Sequence, residues 1–368
     1  LAQREEQQTQ APRPGVAQIK TYRPQQPPAG DGRAWIDLSM SVNPLGASPR
    51  AISAYRHAAG LINRYPDAEQ TLLRRAVAKH YDIDFERITC GAGSDELIHL
   101  VCQAFAGPDD EVLSHEYGYR GFMKAVRAAG ATPVTAAERD MAVDVEAMID
   151  RAGPRTKICF LANPNNPTGS YIPAESVARL RAGLPRGTLL VLDSAYADYC
   201  RRQNYADGID LVENSDNVLM VRTLSKMHGL AGLRIGWAYG PIPVIQAINQ
   251  IRGPFSVGGP AQLAAVAALG DEEHEEWSLR HNAQWLPWLT CELEQLGLRV
   301  YPSVCNFILV RIPNDPAVGV RQVTEHLLRR GILVKSAAAY GLPDCLRVSV
   351  GQEEENRALV AALAEVME

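Results

Sequence analysis

The sequence predicts an α/β protein: a mostly parallel sheet flanked by helices, followed in the chain by a smaller α+β domain. Three observations support this prediction. Short runs of apolar residues recur between positions 111 and 221 without polar alternation, which is typical of strands buried on both faces. Segments with helical spacing of apolar residues separate these runs. After Gly258 the order changes to long amphipathic helices that lead into short strands.

The individual elements follow from these patterns. Apolar runs bounded by turn residues predict strands at 111–114, 157–162, 188–193 and 217–221. Helical spacing predicts helices at 72–81, 97–105 and 175–183 in the first part of the chain. The second part is predicted to contain helices at 260–269 and 274–297, strands at 306–311 and 346–350, and a helix from residue 353.

The same patterns divide the chain into three parts. Residues 1–34 are rich in Pro, Gln and Gly and are predicted to form an extended N-terminal arm. Residues 61–258 are predicted to form the large domain around the sheet, and residues 35–60 together with 259–368 the small domain. In open α/β sheets, ligands bind at the carboxyl ends of the strands, so the functional residues are expected there.

Composition and charge disfavour several classes of partner. The 368 residues carry a formal net charge of −5, which argues against a nucleic-acid or anionic-membrane surface. No apolar run approaches the roughly 20 residues of a membrane span, and the polar residues 1–10 do not resemble a secretory signal. The seven cysteines contain no CxxC pair, which is typical of packed thiols in a reducing compartment, so a cytoplasmic location is expected.

The histidines and cysteines predict no metal site. The eight histidines form no HExxH motif and no cluster with cysteine along the sequence, and these are the spacings that metal sites favour. His228 is therefore interpreted as a packing or outer-shell residue rather than a ligand.

Lys226 is the first candidate for chemistry. It follows Thr223 and Ser225 in the run TLSK and precedes Arg234 by eight positions. A lysine that forms a Schiff base with an aldehyde cofactor needs such neighbours when the cofactor carries a phosphate. The arginine can fork two donors onto that phosphate, and the hydroxyls can add neutral ones. Taken alone, the run is equally compatible with a solvated loop.

Two predicted strands end in polar motifs. The turn NPNNPTG at 163–169 follows the strand at 157–162 and delivers an asparagine side chain beyond its end. Asp193 ends the strand at 188–193, and Tyr196 lies three residues later. A carboxylate at the end of a buried strand is costly unless it meets a cation, such as a protonated pyridine nitrogen. The alternatives are a plain turn for the first motif and a helix N-cap for Asp193.

A glycine turn at 91–93 leads through Ser94 and Asp95 into the predicted helix at 97–105. Free N–H groups at such a turn can bind a phosphate. A dinucleotide is disfavoured because Glu96 stands where the third glycine of that motif would be. Three aromatic side chains are candidates for stacking on a flat cofactor: Tyr117, Tyr119 and Phe122.

In this order the motifs resemble those of the fold-type-I pyridoxal-phosphate-dependent aminotransferases, and the resemblance extends from Trp35 to the end of the chain. Within that family they look like the histidinol-phosphate aminotransferase subgroup. The supporting segments are NPLG at 43–46, RYPD at 64–67, GAGSDE at 91–96, LDSAY at 192–196, PSVCNF at 302–307 and CLRVSVG at 345–351. The resemblance implies a fold-type-I transferase and pyridoxal 5′-phosphate as the cofactor.

The resemblance also implies a role for each cofactor-binding residue. Lys226 would hold the cofactor as a Schiff base and then act as the proton-transfer base, while Asp193 would bind the pyridine nitrogen. Asn166 and Tyr196 would donate to the phenolic oxygen. Tyr119 would stack on the ring, and the phosphate would be held by Ser94, Asp95, Thr223, Ser225 and Arg234. Tyr65 would reach the phosphate of a neighbouring subunit, which implies a homodimer with shared active sites.

The implied reaction is amino transfer in histidine biosynthesis, between histidinol phosphate and 2-oxoglutarate, in a ping-pong cycle. Arg347 would bind the amino-acid carboxylate. The other implied substrate residues are Tyr22, Asn43, Asn306 and Lys335. The family commonly has Glu at position 42 and Arg at position 335, whereas this chain has Val42 and Lys335. Aromatic amino acid transamination and threonine-phosphate decarboxylation therefore stay open as alternatives, and a non-enzymatic binding module or an NAD dehydrogenase would be alternatives of another class.

Overall fold

The computed structural model describes residues 11–21, 34–313 and 318–367. The helices are α1 (Pro14–Ala17), α2 (Pro49–Ala58), α3 (Thr71–Tyr81), α4 (Ser94–Phe105), α5 (Arg120–Ala129), α6 (Val145–Arg151), α7 (Ala174–Gly183), α8 (Ile209–Glu213), α9 (Ile242–Ile251), α10 (Gly259–Leu269), α11 (Glu272–Gln295), α12 (Val320–Arg329) and α13 (Glu353–Met367). The strands are β1 (Ile36–Asp37), β2 (Ile88–Gly91), β3 (Glu111–His115), β4 (Thr132–Ala136), β5 (Glu138–Arg139), β6 (Ala142–Val143), β7 (Thr156–Ala162), β8 (Leu189–Asp193), β9 (Val218–Thr223), β10 (Gly236–Tyr239), β11 (Arg299–Tyr301), β12 (Phe307–Arg311), β13 (Ile332–Leu333), β14 (Lys335–Ser336) and β15 (Cys345–Ser349).

A seven-stranded sheet in the order β2-β10-β9-β8-β7-β3-β4 forms the centre of the fold. Strands β4, β3, β7, β8 and β9 run parallel to one another, whereas β10 is antiparallel to both β9 and β2. The predicted mostly parallel sheet is therefore confirmed. Because the parallel strands end at the same edge, the segments that follow β3, β7, β8 and β9 come together there.

Both faces of this sheet are covered, which explains the continuous apolar runs in the sequence. In β8, Leu190 and Leu192 pack into one hydrophobic cluster, and Leu189 and Val191 pack into the cluster on the opposite face. Successive strand side chains point to opposite faces, so a strand buried on both sides must be apolar at every position.

The last third of the chain forms a four-stranded antiparallel sheet in the order β11-β12-β15-β14. Helices α11, α12 and α13 contribute buried residues to its core together with Leu38. The predicted helix-then-strand order after residue 258 is confirmed. Within the described residues, no helix combines the length and the apolar character that crossing a bilayer requires.

The predicted division into an arm, a large domain and a small domain stays a prediction. Buried residues of α2 and α10, which the division assigned to the small domain, belong to the same hydrophobic cluster as the strands of the seven-stranded sheet. These two helices also pack closely against each other.

Candidate active site

The carboxyl ends of three adjacent strands place the polar motifs side by side. In the sheet register, Ala162 at the end of β7 lies opposite Asp193 at the end of β8, and Asp193 lies opposite Val221 in β9. Lys226 follows the end of β9 by three residues. The turn at 163–169, the carboxylate and the lysine are thus brought to one edge of the sheet.

Lys226 carries a desolvated amine at this edge. Its Nζ donates to the carbonyl oxygen of Met40 at 3.4 Å and lies 5.5 Å from the centroid of the Tyr196 ring. Burial, together with the cationic Arg347 and Arg234, lowers the pKa of Lys226 to about 7. The side chain keeps partial exposure, so the amine is desolvated and still reachable. At neutral pH a large share of it is unprotonated and able to attack an aldehyde.

Asp193 is a buried carboxylate that lacks a close cation. Its side chain is 6% exposed, and its Oδ1 accepts the N–H of Ala195 at 3.2 Å. Burial, together with the charge of Asp95, raises the pKa of Asp193 to about 6, although the N–H of Ala195 and the charge of Lys226 act in the opposite direction. Among the described residues it forms no salt bridge. A cationic group placed here would offset the cost of burying the charge.

Arg347 connects the two sheets at this edge. Its Nη1 donates to Oδ1 of Asn166 at 2.7 Å, and its Nη2 donates to the carbonyl oxygen of Ser39 at 2.6 Å. The guanidinium carbon lies 5.1 Å from the centroid of the Phe307 ring. Its Nε is buried without a hydrogen-bond partner among the described residues. An anion bound here would satisfy this Nε, since a guanidinium can offer two parallel donors to one carboxylate or phosphate.

Three predicted phosphate residues, Thr223, Ser225 and Arg234, lie next to the start of α4, where the other two, Ser94 and Asp95, are the first residues. The Thr223 hydroxyl donates to Ser225 Oγ at 2.9 Å, and Arg234 Nη1 donates to the same oxygen at 3.3 Å. Gly93 precedes Ser94 with a φ of 86°, and a Cβ at this position would collide with the Arg234 guanidinium. Glycine is therefore required there, both for the left-handed conformation and for the close approach of the arginine.

These groups form a cradle for an anion. Two side-chain hydroxyls, one guanidinium and the free N–H groups of the first turn of α4 face one another at this point. Helix N-termini with such neighbours favour phosphate because backbone donors and the helix dipole act together. Arg234 itself has a φ of 53°. A non-glycine residue in this conformation is uncommon and marks positions where the fold imposes strain.

The three aromatic candidates differ in their surroundings. Tyr119 is half-buried and donates its hydroxyl to Oδ1 of Asp95 at 3.2 Å, so it lies beside the start of α4. Phe122 is 1% exposed and stacks on Phe160 at 4.4 Å, which makes it a core residue. Tyr117 packs against a cluster of the small sheet. Tyr119 is the ring best placed to stack on a cofactor.

The amine of Lys226 lies over the face of the Tyr196 ring. Its ring makes an edge contact with Phe307 at 5.1 Å, and 3% of the residue is exposed. Burial raises the pKa of Tyr196 above its usual value, so its hydroxyl stays protonated and acts as a donor.

The predicted substrate residues are placed less uniformly. Asn43 donates from Nδ2 to the carbonyl oxygen of Met227 at 2.7 Å and to Ser278 Oγ at 2.8 Å, so it braces the segment next to Lys226. Asn306 donates to the carbonyl oxygens of residues 41 and 42, and its buried Oδ1 has no partner among the described residues. Lys335 lies opposite Arg347 in the sheet register. Tyr22 lies outside the described residues.

One buried pair near the site was missed by the sequence analysis. His115 ends β3, and its Nδ1 lies 2.6 Å from Oε1 of Glu138, with both side chains fully buried. The N–H of Ala162 donates to Nε2 of the same ring at 3.2 Å, so the ring is neutral and carries its proton on Nδ1. The pair holds the end of β7, from which the turn at 163–169 begins. The predicted strand at 111–114 stopped one residue short of His115. The signal that identified Asp193, a polar residue at the end of a buried strand, would also have identified His115.

Comparisons with known proteins agree on one family. The family model described as "Aminotransferase class I and II" matches residues 33–363. The histidinol-phosphate aminotransferase of Paramagnetospirillum magneticum is 48% identical over 355 residues, covering 96% of this chain and 98% of that protein. That of Rhodopseudomonas palustris is 46% identical over 357 residues, covering 97% and 98%. The crystal structure of the Sinorhizobium meliloti histidinol-phosphate aminotransferase in complex with pyridoxal-5′-phosphate matches with a TM-score of 0.86 and 31% identity, covering 91% of this chain and 92% of that one.

Proposed function

Because the chain belongs to the class I and II aminotransferases, we propose that it transfers the amino group of histidinol phosphate to 2-oxoglutarate, with pyridoxal 5′-phosphate as its cofactor. It is a transaminase of fold type I. The observation that carries the chemistry is the placement of Lys226 and Asp193 at one edge of the sheet. Relatives named histidinol-phosphate aminotransferase, 45–48% identical over nearly their full length, support the substrate.

The residues present fit this cofactor at three points. Lys226 supplies an amine of lowered pKa, Asp193 supplies a buried carboxylate that needs a cation, and the cradle at Gly93 and Arg234 suits a phosphate. When bound, pyridoxal phosphate supplies an aldehyde that condenses with amines and a ring that withdraws electrons from the substrate α-carbon.

The side chains divide the catalytic work. Lys226 would hold the cofactor between turnovers, and its Nζ, when free, would accept the α-proton of the substrate. Asp193 would hold the ring nitrogen in its protonated form, because a buried carboxylate favours a neighbouring positive charge. Tyr196 and Nδ2 of Asn166 are donors for the phenolic oxygen. These assignments are proposals that rest on the geometry described above.

Arg347 must accept two different anions in the two halves of the reaction. Glutamate and 2-oxoglutarate present a carboxylate next to the reacting carbon, whereas histidinol phosphate presents a phosphate ester. A guanidinium can fork onto either group. Lys335, opposite Arg347 in β14, adds a point charge without a fixed direction, which suits a site that binds both groups.

We expect Arg347→Lys to reduce kcat/KM for both the amino donor and the oxo acid. The change replaces a forked, charge-assisted contact and should cost about 1.5–3 kcal/mol, or roughly ten- to a hundred-fold. Steady-state kinetics with each substrate measures the loss. Arg311→Lys is the matched control, because Arg311 lies in the same sheet but pairs with Asp344 away from the edge. Unchanged kinetics for Arg347→Lys would show that another residue binds the anion.

The substrate assignment is tested by single-turnover spectra of the holoenzyme with a panel of amines. Histidinol phosphate should convert the cofactor to its aminated form with a higher kcat/KM than phenylalanine. Phosphothreonine should release no carbon dioxide. Faster reaction with phenylalanine would indicate an aromatic aminotransferase, and carbon dioxide release would indicate a decarboxylase.

We further propose that the enzyme is a homodimer whose active sites are shared. Tyr65 is 83% exposed and stacks on Phe255 at 4.6 Å, and the neighbouring Ile62 is 76% exposed. Apolar residues that are exposed together in this way are typical of a surface covered by another subunit. A second copy seated there would bring Tyr65 to the other subunit's phosphate cradle.

Coexpression of two impaired variants, assayed at a cofactor concentration too low to load Tyr65→Ala, tests the shared site. We expect Tyr65→Ala to weaken cofactor binding roughly ten- to a hundred-fold through the loss of a phosphate donor. Coexpression of Tyr65→Ala with Lys226→Ala should restore activity to roughly a quarter of the sites, because mixed dimers contain one intact site. Tyr55→Ala, on the exposed face of α2, is the control and should leave cofactor binding unchanged. If the mixture stays inactive, the sites are not shared.

A cytoplasmic location is proposed from the cysteines. All seven are free thiols, and six of them are buried. Proteins of oxidising compartments more often pair their cysteines, whereas reduced, packed thiols are typical of the cytoplasm.

A further inference from the structure

A second group of ionisable side chains lies next to the Lys226 segment. It consists of His80 in α3, His228 two residues after Lys226, and Glu275 in α11. One potential ligand atom from each of the three lies within 4.8 Å of the others. Because the three residues are distant in the sequence, only the fold brings them together.

His80 is held in the tautomer that a metal ligand requires. Its Nδ1 lies 2.9 Å from the carbonyl oxygen of Leu269, and a carbonyl can only accept, so Nδ1 carries the proton. The lone pair of a neutral ring is therefore on Nε2, which lies 3.5 Å from Oε2 of Glu275. Histidine ligands commonly donate their other N–H to a backbone carbonyl in this way. A cation between Nε2 and the carboxylate would remove the repulsion between two acceptors.

His228 supplies a second, independent observation. The residue is 3% exposed, and its Nε2 is buried without a hydrogen-bond partner among the described residues. Its ring lies edge-on to that of His80, with centroids 5.8 Å apart. This Nε2 nitrogen is a candidate ligand atom, since buried polar groups are rarely left without a partner.

The charges around the group favour a cation. The buried guanidinium of Arg222 is held by Asp198 and Asp207, and Glu275 adds a third carboxylate nearby. Arg201, an exposed residue at the rim, and Arg222 carry positive charges that act on Glu275. Three carboxylates thus lie near two guanidinium groups. The excess negative charge suits a divalent ion.

We propose that His80, His228 and Glu275 bind one divalent transition-metal ion of the zinc class. Two imidazole nitrogens and one carboxylate oxygen form a ligand set that zinc favours, with water in the fourth position. Zinc–ligand bonds of about 2.0–2.2 Å place ligand atoms roughly 3.3 Å apart, so atoms that lie within 4.8 Å of one another would each have to move by about 1 Å. The ion would fasten the segment that carries Lys226 to α3 and α11. The sequence predicted no metal site because these three residues are far apart in the chain and do not show the short spacing of a metal-binding motif.

Metal binding is tested on the holoenzyme after dialysis against a chelator. Titration with zinc chloride by calorimetry, and with cobalt chloride by visible absorption, should show one equivalent bound per chain. His228→Gln and Glu275→Gln should each weaken binding at least about tenfold, and zinc should raise the Tm of the wild type but not of these variants. Cofactor absorbance and circular dichroism check that each variant is folded. None of these readouts depends on turnover.

The matched control is His57→Gln. His57 is an exposed histidine on α2 whose Nδ1 lies 2.8 Å from the carbonyl oxygen of Ser53 in its own helix, so its variant should bind metal as the wild type does. Less than one equivalent bound by the wild type would overturn the proposal. Undiminished affinity in folded His228→Gln would overturn it too, because the metal would then be bound elsewhere, for example at the exposed Cys291.

Discussion

Replacing Lys226 with alanine is expected to reduce kcat for amino transfer by about 10⁴-fold or more, the upper range for loss of a positioned general base. Lys226 is the lysine of lowered pKa at the ends of β8 and β9. The variant loses both the covalent attachment and the group that moves the α-proton. Steady-state and single-turnover assays with histidinol phosphate measure the effect.

The cofactor should still bind to Lys226→Ala through the phosphate cradle and Asp193, so the loss will lie in kcat more than in cofactor affinity. Lys124→Ala is the matched control, because Lys124 is exposed on α5 and should retain full activity. Turnover within tenfold of the wild type in Lys226→Ala would rule out this lysine as the base.

Asp193→Asn is expected to have two opposite effects, the first of which is on catalysis. Asparagine is nearly isosteric but carries no charge to hold the ring nitrogen in its protonated form. Removing one partner of a buried ion pair costs about 3–5 kcal/mol, so kcat/KM should fall between about 10² and 10⁴-fold. A loss below tenfold would mean that Asp193 does not contact the cofactor nitrogen.

The second effect is on the stability of the cofactor-free protein. The folded-state pKa of Asp193 is about 6, against a usual value of 3.8, so between these values the folded state binds more protons than the unfolded chain. Its contribution to stability is therefore full below pH 3.8 and is lost as the pH rises through 6. A shift of about two units corresponds to about 3 kcal/mol. Asp193→Asn should raise the free energy of unfolding by up to that amount at pH 8 and by only about a third of it near pH 4.5.

Urea unfolding of the cofactor-free protein at the two pH values measures this effect. Asp216→Asn is the control, because the Asp216 side chain is 96% exposed and should show no such pH dependence. Equal stability of Asp193→Asn and the wild type at pH 8 would mean that burying the carboxylate does not destabilise the folded protein. The two effects together describe a residue that costs stability without the cofactor and is required with it.

The four strands predicted between residues 111 and 221, which correspond to β3, β7, β8 and β9, were predictable because they are buried on both faces. The runs at 157–162 and 188–193 became β7 and β8 within one residue of the predicted bounds. The antiparallel strand β10 was not predicted. It begins two positions after Arg234, and its four residues are too few to show a strand pattern. Which strands pair is set by packing across the whole chain, and local patterns do not report that.

The candidate site was predictable where its residues follow strands. Asp193 ends β8, and Asn166 and Lys226 follow β7 and β9, so the expectation that ligands bind at strand ends was enough to group them. The bond between Arg347 and Asn166 joins residues 181 positions apart, and no local pattern contains that information. For the same reason, the sequence did not predict the grouping of His80, His228 and Glu275. The individual roles of the site residues remain predictions.

The central claim is that Lys226 bonds covalently to pyridoxal phosphate beside Asp193. The most direct measurement is reduction of the resting holoenzyme with borohydride, followed by digestion and mass spectrometry of the labelled peptide. We predict a single pyridoxyl label, on Lys226, at one equivalent per chain. A label on another lysine, or unlabelled protein that retains full activity after reduction, would contradict the claim.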